Sequence, residues 1–478
     1  EEMDSIVGEG AVGYMVKGDA KTGNNARIVL CTYGVLLRRL QDDPSLDAID
    51  CVILDEVHER GIDSDFTLAL LISAMKSRAS LKVILMSATI ATDKFASYLD
   101  SHLPPRASLG GEDTKTPVLF IPGFTYPVTE YYKGDYESFA QSFSLSNRGN
   151  NDNENDIKGG NNPIYFRKKK GDIDYELLVK LILMLSSPCN SQFEQPPEAG
   201  MLSPAEGCML IFMPGVGEIN KVLTALQSFE ANARSDSRRL KLKLLALHGN
   251  LPPNEQKKVF LPANKGELKI VVSTNVAEAS VTIPDVTVVI DCCRVKEMDF
   301  DTESQTSGLM LKFAAKDSLT QRRGRAGRVQ SGRCFRLITR GTYEKLPDHG
   351  MPEILRTPLD RLVLQVKAMK VPGDAKMDPN IPPSSFDMLK NCIDPPTEDA
   401  VLTAERFLEQ IQALDRSRSL TPLGQHLSLM PCSPQVGRLL VYGCLLGCVH
   451  PASSAAAACL MAKGPFASPA PADKDLQR

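Results

Sequence analysis

Short apolar runs of four to six residues recur along this chain, and helical periodicity fills the stretches between them. They lie near Ile28–Cys31, Cys51–Leu54, Leu81–Met86 and Val118–Ile121, and again near Met209–Met213, Leu242–Leu247, Lys269–Ser273, Thr287–Asp291 and Cys334–Ile338. A continuous apolar run reads as a strand buried on both faces. Strands that alternate with helices, such as Phe66 to Lys76, call for parallel sheets. The two groups predict two α/β lobes, over 1–133 and 172–341. Between them Gly134–Gly171 is polar and of low complexity, and it reads as a linker. The basic run Arg167–Lys170 closes it and is either an RNA contact or a solvated patch. Ser186–Gly207 is a second loop-like insertion. After Tyr343 the pattern turns mainly helical. At 478 residues the chain suits roughly three domains.

Ligands of open α/β sheets bind past the carboxyl ends of strands. Asp55-Glu56-Val57-His58 follows the run Cys51–Leu54 at once. Two adjacent carboxylates there suit a Mg²⁺-nucleotide, one holding the metal through water and the next orienting the attacking water. The alternative is an acidic helix start with Asp55 as N-cap. Ser87-Ala88-Thr89 ends the next run, and its hydroxyls could relay contacts from the acidic pair. Gln321-Arg322-Arg323-Gly324-Arg325-Ala326-Gly327-Arg328 packs four arginines into eight residues. A solvated surface helix would mix in Glu and avoid Gly. Arg325 and Arg328 are three apart, so on a helix they project to one face and can present two forks to one polyphosphate. A solvated basic turn or an RNA-binding patch is the alternative.

Composition sets bounds. A net charge near −3 excludes a globally basic nucleic-acid binder but not one with a local basic groove. The twelve cysteines lack metal-ligand spacing. Cys51, Cys208 and Cys334 sit in apolar runs, where Cys behaves as a small buried hydrophobe. The adjacent pair Cys292-Cys293 is unsuited to bridging. This usage implies a reducing, intracellular compartment, cytoplasmic or nuclear. No apolar stretch approaches the ~20 residues of a membrane span, and no secretory signal peptide opens the chain.

Asp55–His58, Ser87–Thr89 and Gln321–Arg328 resemble motifs II, III and VI of the DEAH-box RNA helicases. Cys31–Arg38 resembles motif Ib, Leu210–Gly215 motif IV, His248–Phe260 the segment after it, and Ser273–Ile283 motif V. The resemblance covers roughly residues 1–450. Val57 departs from the Ala of the family name, as in a subset of members. The resemblance implies two RecA-like parallel-sheet lobes, the first incomplete, then a winged-helix domain over 342–399 and the start of a helical bundle over 400–478. It implies an ATP-dependent RNA helicase using ATP or another NTP with Mg²⁺.

By resemblance, Asp55 and Glu56 attend the metal, and Glu56 polarises the attacking water. His58 couples that site to Gln321, while Ser87 and Thr89 link hydrolysis to lobe movement. Arg325 and Arg328 act as arginine fingers. Phe260 stacks on the base, and Asp285 stands one place late for the carboxylate that many members carry where Pro284 is. Ala279 replaces a common Thr. The Ile-Pro-Asp sequence leans towards a subset that includes members linked to translation initiation, so ribosomal or ribonucleoprotein partners join RNA as expectations. Thr32, Gly34, Gly215, Thr274 and Asn275 match positions near the RNA backbone. The hairpin expected between Asp291 and Thr320 matches a strand separator, or ordinary surface.

No G-x-x-x-x-G-K-[ST] loop occurs in the sequence. Such a loop cradles phosphates with backbone N–H groups and a lysine. Beginning at Glu1-Glu2-Met3, the chain is expected to be truncated at both ends relative to that family. It is expected to lack the phosphate loop, a following strand, the base-stacking arginine and a later OB-fold. The alternatives are an RNA-binding or scaffold fragment that does not hydrolyse nucleotide, and a DNA helicase. A lobe short of interior strands would also expose unpaired edges and apolar surface.

Overall fold

The computed structural model describes residues 10–16, 18–88, 92–103, 106–107, 113–142, 173–186, 207–232, 241–264, 266–278, 282–301, 306–369 and 384–460. Glu1–Met3, the Asn147–Asp156 tract, Arg167–Lys170, the interior of the Ser186–Gly207 insertion, Thr89 and Ala279 lie outside them. The chain divides into two compact units, one of 1–119, 299–307 and 351–478, the other of 120–298 and 308–350.

The first unit opens with strands β1 (Val12–Val16), β2 (Asp19–Lys21) and β3 (Ile28–Cys31) and helix α1 (Tyr33–Asp42). Strand β4 (Cys51–Leu54), helix α2 (Ile62–Ser77), strand β5 (Lys82–Leu85), helix α3 (Thr92–His102) and the short pair β6 (Arg106–Ala107) and β7 (Asp113–Thr114) follow. Asp63 and Asp65 in the first turn of α2 and Lys76 in its last complement the helix dipole. β1 pairs β3 in parallel and β2 antiparallel, whereas β4 and β5 form a separate parallel pair. Only one face of that pair is buried. Val52 and Leu54 pack against Leu68, Leu71 and Ile72 of α2. Ile53 and Ile84 are 56% and 48% exposed, and Leu30 in β3 is 62% exposed. The expected two-face burial therefore fails here, and Cys51, expected inside, is exposed. No strand forms at Val118–Ile121, whose residues are irregular and exposed.

The second unit carries strand β8 (Val128–Tyr132), helices α4 (Lys133–Ser142) and α5 (Tyr175–Leu185), β9 (Cys208–Phe212), α6 (Val216–Asn232), β10 (Lys241–Leu247), α7 (Pro253–Lys257), β11 (Glu267–Ser273) and β12 (Val286–Asp291). Then come β13 (Arg294–Asp301) and β14 (Thr306–Phe313), whose residues 299–301 and 306–307 count with the first unit, and after them α8 (Lys316–Gly324), β15 (Gly332–Arg336) and α9 (Arg340–Glu344). Six strands in the order β10-β11-β9-β12-β15-β8 make one sheet, every pair parallel. Its faces are buried in turn: Met209 and Ile211 face α5 and α6, while Leu210 and Phe212 face the other core. The expected hairpin is the pair β13–β14. Two elements correct the sequence reading. β8, placed there in the first lobe, is the edge strand of this sheet. α4, placed there in the linker, buries Tyr136 and Ala140 completely.

The first unit resumes with α10 (Asp360–Ala368), α11 (Ser385–Leu389), α12 (Glu398–Gln410), α13 (Pro422–Leu429), α14 (Pro434–Leu445) and α15 (Val449–Leu460). Ser384, Thr397 and Thr421 cap α11, α12 and α13 through their hydroxyls. Leu362, Val363 and Val366 of α10 share one core with Val401 and Leu408 of α12 and Leu427 of α13. That core runs through position 400, where the sequence reading divides the winged helix from the bundle.

β8 is held by charge as well as by its ladder. Glu130 takes Arg323 on one oxygen at 2.5 Å and Arg336 on the other at 2.8 and 2.9 Å. Arg336 has no exposed side-chain surface. Burial raises the Glu130 carboxyl, but the two guanidiniums outweigh it and hold it below its ordinary 4.5. Its contribution to stability is thus complete above pH 4.5 and is lost as pH falls through the lower folded value. Glu130→Gln should lower stability at pH 7 by about 3 kcal/mol, because it strands a buried charge. It should also flatten the acid loss of stability below that pH. Urea melts followed by tyrosine signals at pH 7 and at mildly acid pH check both.

Candidate functional site

In the first unit the chain leaves β4 into a tight turn. Glu56 and Arg60 bracket it with φ of 55° and 53°, left-handed values that disfavour side chains. Such residues persist only where their surroundings over-determine them. Here β5, running parallel to β4, supplies part of the restraint. Val57 N donates to Met86 O at 3.2 Å, and Ala88 N donates to His58 Nδ1 at 3.3 Å. The structure thus brings Asp55–His58 and Ser87–Ala88 together at the carboxyl ends of neighbouring strands. Glu56 N donates to Asp55 Oδ1 at 2.8 Å. Tyr33 donates from its hydroxyl to the Asp55 carbonyl at 2.5 Å, a contact the sequence reading missed. Burial and the surrounding carboxylates push that phenol up to about 12, so it stays a donor. The His58 ring is 7% exposed, with Nε2 3.4 Å from Glu56 Oε2. Thr32 and Gly34 stand exposed at the start of α1. A Cβ on Gly34 would meet only Asp63 Oδ2, at 3.9 Å, so internal packing does not require that glycine.

In the second unit α8 ends at Gly324, and Arg325–Gly327 form a 3₁₀ turn instead of the expected helix. Residues three apart eclipse in that geometry, so Arg325 and Arg328 still share a side. All four arginines have partners within the unit, and Arg322 and Arg325 are buried. Arg322 is buried, with Nε on Glu278 Oε2 at 2.8 Å and Nη1 on Asp291 Oδ1 at 3.0 Å. Burial disfavours its charge, but Asp291 and Glu278 outweigh that and raise its pKa. Arg323 holds Glu130. Arg325 donates to the Glu278 carbonyl, and Arg328, exposed, donates to the Thr282 hydroxyl. Gln321 is half-buried on the last full turn of α8.

Gly215 follows β9 and Thr274-Asn275 follow β11, its neighbour in the sheet, with Met213 N donating to Ser273 O at 2.8 Å. Those three residues therefore share one edge. A Cβ on Gly215 would stand 2.8 Å from Glu218 Oε2 and 3.1 Å from Lys296 Nζ. Thr274 caps the 3₁₀ turn Asn275–Ala277. Phe260 is 43% exposed, open to a stacking partner. Asp285 has a structural task that the sequence reading did not foresee. Both its oxygens accept from Lys269, a fully buried ammonium, at 2.9 and 3.2 Å. Burial pushes Cys292 and Cys334 up to about 12, so both are inert thiols at neutral pH. Among the described residues no three His, Cys, Asp or Glu gather as a metal cluster. The carboxylates of Asp55 and Glu56 at a strand end fit Mg²⁺, which keeps several waters and takes its remaining ligands from phosphates.

Three family models match: DEAD/DEAH box helicase over 5–96, helicase conserved C-terminal domain over 200–330, and helicase associated domain (HA2), winged-helix, over 404–432. The DExH-box ATP-dependent RNA helicase DExH1 of Arabidopsis thaliana is 35% identical over 98% of the chain and 45% of its own length. The ATP-dependent DNA/RNA helicase DHX36 of Homo sapiens is 32% identical over 98% and 45%. For the ATP-dependent RNA helicase dhx29 of Xenopus laevis the figures are 35%, 96% and 34%. The crystal structure of the Escherichia coli DEAH/RHA helicase HrpB superposes with a TM-score of 0.69 at 26% identity, covering 97% of the chain and 48% of that protein. The chain belongs to the DEAH-box family of superfamily 2 helicases. It spans less than half the length of these relatives. Its α/β lobes and winged-helix match are those of a DEAH-box helicase. No helix among the described residues is long and apolar enough to cross a membrane.

The two glycines of the octet of this DEAH-box chain differ. A Cβ on Gly327 would lie 2.6 Å from the Tyr126 carbonyl and 2.8 Å from Val128 Cγ2, whereas at Gly324 nothing lies within 4 Å. Gly327→Ala should therefore destabilise the second unit by about 1–3 kcal/mol, the range for overpacking. Gly324→Ala should be neutral or stabilising by up to ~1 kcal/mol. Denaturant midpoints of the two variants check this contrast.

Proposed function

We propose that this chain forms part of the motor of an ATP-dependent RNA helicase, the full-length protein coupling NTP hydrolysis to movement along RNA. The observation that carries the reading is the turn Asp55–His58 at a strand's carboxyl end, with Glu56 left-handed and His58 tied to Ala88 just past the next strand. Asp55, with Glu56 beside it, would hold Mg²⁺ through water; when bound, the ion neutralises charge on the phosphates. Glu56 would orient the attacking water, and His58 keeps its carboxylate company. Ser87 and Thr89 would carry the change at the nucleotide to the rest of the unit. Gln321 would position the water, and Arg325 and Arg328 would stabilise charge on the transferring phosphoryl group. Phe260 would stack on the base, and Asp285, one place late for the family's carboxylate, would stand near the nucleotide while still serving Lys269. Thr32, Gly34, Gly215, Thr274 and Asn275 would approach the RNA backbone, a contact that carries affinity without sequence preference. The shared core supports a winged-helix domain extending over 351–432, with the bundle starting after it. The Ile-Pro-Asp sequence at 283–285 is what supports ribosomal or ribonucleoprotein partners beside RNA.

The absence of a G-x-x-x-x-G-K-[ST] loop from these residues favours a second reading, RNA binding without hydrolysis. Without that loop the Asp55 carboxylate and the arginines have no lysine and backbone cradle to share the phosphates. RNA-stimulated ATP hydrolysis by the purified polypeptide separates the two. The expected outcome for these residues alone is binding of single-stranded RNA, weakening log-linearly with salt, and hydrolysis near the uncatalysed level. Turnover at helicase-like rates would overturn that expectation. If Glu56→Gln then lowered the rate by about 10²–10⁴ and left RNA affinity unchanged, the turn would be the source. Tighter binding to DNA than to RNA would instead point to a DNA helicase.

A further inference from the structure

The turn that carries Glu56 and His58 ends at Arg60, and Arg60 is tied to residues some three hundred positions away. Its carbonyl accepts from Glu353 N at 3.0 Å, and Glu353 Oε2 in turn accepts from Ile62 N at 3.0 Å. One residue thus clasps the backbone on both sides of Gly61. The Arg60 guanidinium forks onto Asp65, Nε to Oδ1 at 3.1 Å and Nη2 to Oδ2 at 2.9 Å, and Nη2 also donates to Asp394. Lys94 from α3 holds Asp394 as well, at 2.7 and 2.8 Å. Asp394 lies between α11 and α12, in the same unit as the turn. Tyr98 adds a hydrogen bond to the Asn391 carbonyl.

Holding the helices against α2 does not need this charge. Leu37, Phe66 and Ala69 already share an apolar core with Leu362 and Leu408. The Arg60 and Asp65 side chains are only 13% and 2% exposed, and ion pairs so placed are weak contributors to stability. They are strong determinants of geometry, because a fork onto one carboxylate and a bond to a second leave the guanidinium one orientation. That orientation fixes a residue whose own backbone is strained, at the end of a turn whose first residue is strained too.

We propose that Arg60 is a positioning residue through which the 351–430 helical module, by way of Glu353 and Asp394, holds the Glu56–His58 turn in its left-handed form. A ligand that displaces the module would loosen the turn. The consequence for hydrolysis rests on the function proposed above; the mechanical link does not. Amide hydrogen exchange of the purified chain tests the link whether or not the polypeptide turns over ATP, so its failure and the failure of the functional reading are separable. Asp394→Asn should raise exchange at the amides of Val57, Glu59 and Arg60 about tenfold while changing those of α12 and of β9 to β12 less than about twofold. Arg60→Gln should do the same, and the double variant should be no worse than either alone. Exchange at 57–60 within about twofold of the parent overturns the proposal. So does equal opening of α12, which would make the contact purely structural. Lys94→Ala, at a half-exposed position, serves if Asp394→Asn does not fold: exchange at 57–60 should rise two- to threefold, and no change counts against the link.

Discussion

Arg322 is enclosed between Glu278 and Asp291, and the aim of the arginine octet follows from that clamp. Desolvating a guanidinium is expensive by several kcal/mol unless its partners are well placed. Asp291 ends the fully buried strand β12, and its Oδ1 also accepts from Cys293 N at 2.7 Å, so this partner does not move. The other end of the octet is pinned by Gly327, whose backbone lies against the Tyr126 carbonyl. With Arg322 and Gly327 held, Arg325 between them is buried on the Glu278 carbonyl, and the exposed Arg328 follows directly. Glu278 takes part twice, its carboxylate on Arg322 and its carbonyl on Arg325. Glu278 thereby ties the turn after β11 to the octet at two points.

Much of this was legible in the sequence, and the failures have a common cause. The runs near 209–213, 242–247, 269–273 and 287–291 all became strands of one parallel sheet, because two-face burial writes itself as continuous apolar sequence. The same pattern at Cys51–Leu54 misled, since Ile53 and Cys51 lie on an exposed face; composition records what a residue tolerates, not whether a covering layer is there. Nothing local separates Arg322 and Arg323 from Arg325 and Arg328. Their fates are decided by Glu130, Glu278 and Asp291, which tertiary structure alone brings near. β8 escaped notice because Val128–Tyr132 is short and precedes a Gly-containing polar stretch, yet Tyr136 shows that the stretch opens with a packed helix. Asp285 was read from its motif position, and no sequence rule announces that a strand lysine, Lys269, will be buried beside it.

The two units hold their candidate site residues by different means. In the second, the groups hang from a sheet packed on both faces, and side-chain position is inherited from the core. In the first, β4 and β5 form a pair with one solvated face, and Ile53 and Ile84 are about half exposed. A two-stranded pair has little stiffness of its own. The conformation of Asp55–His58 must then come from elsewhere, and the contacts say where. Tyr33 holds the turn at its start, Met86 and Ala88 in its middle, and Glu353 with Asp394 at its end. Two of those five restraints come from the C-terminal part of the unit, at 353 and 394. A left-handed Glu56 is a conformation of order 1–3 kcal/mol above the alternatives, comparable to one or two such hydrogen bonds. Loss of the distant restraints alone is therefore enough to shift the turn, which makes its geometry a property of the folded unit and not of the motif that names it.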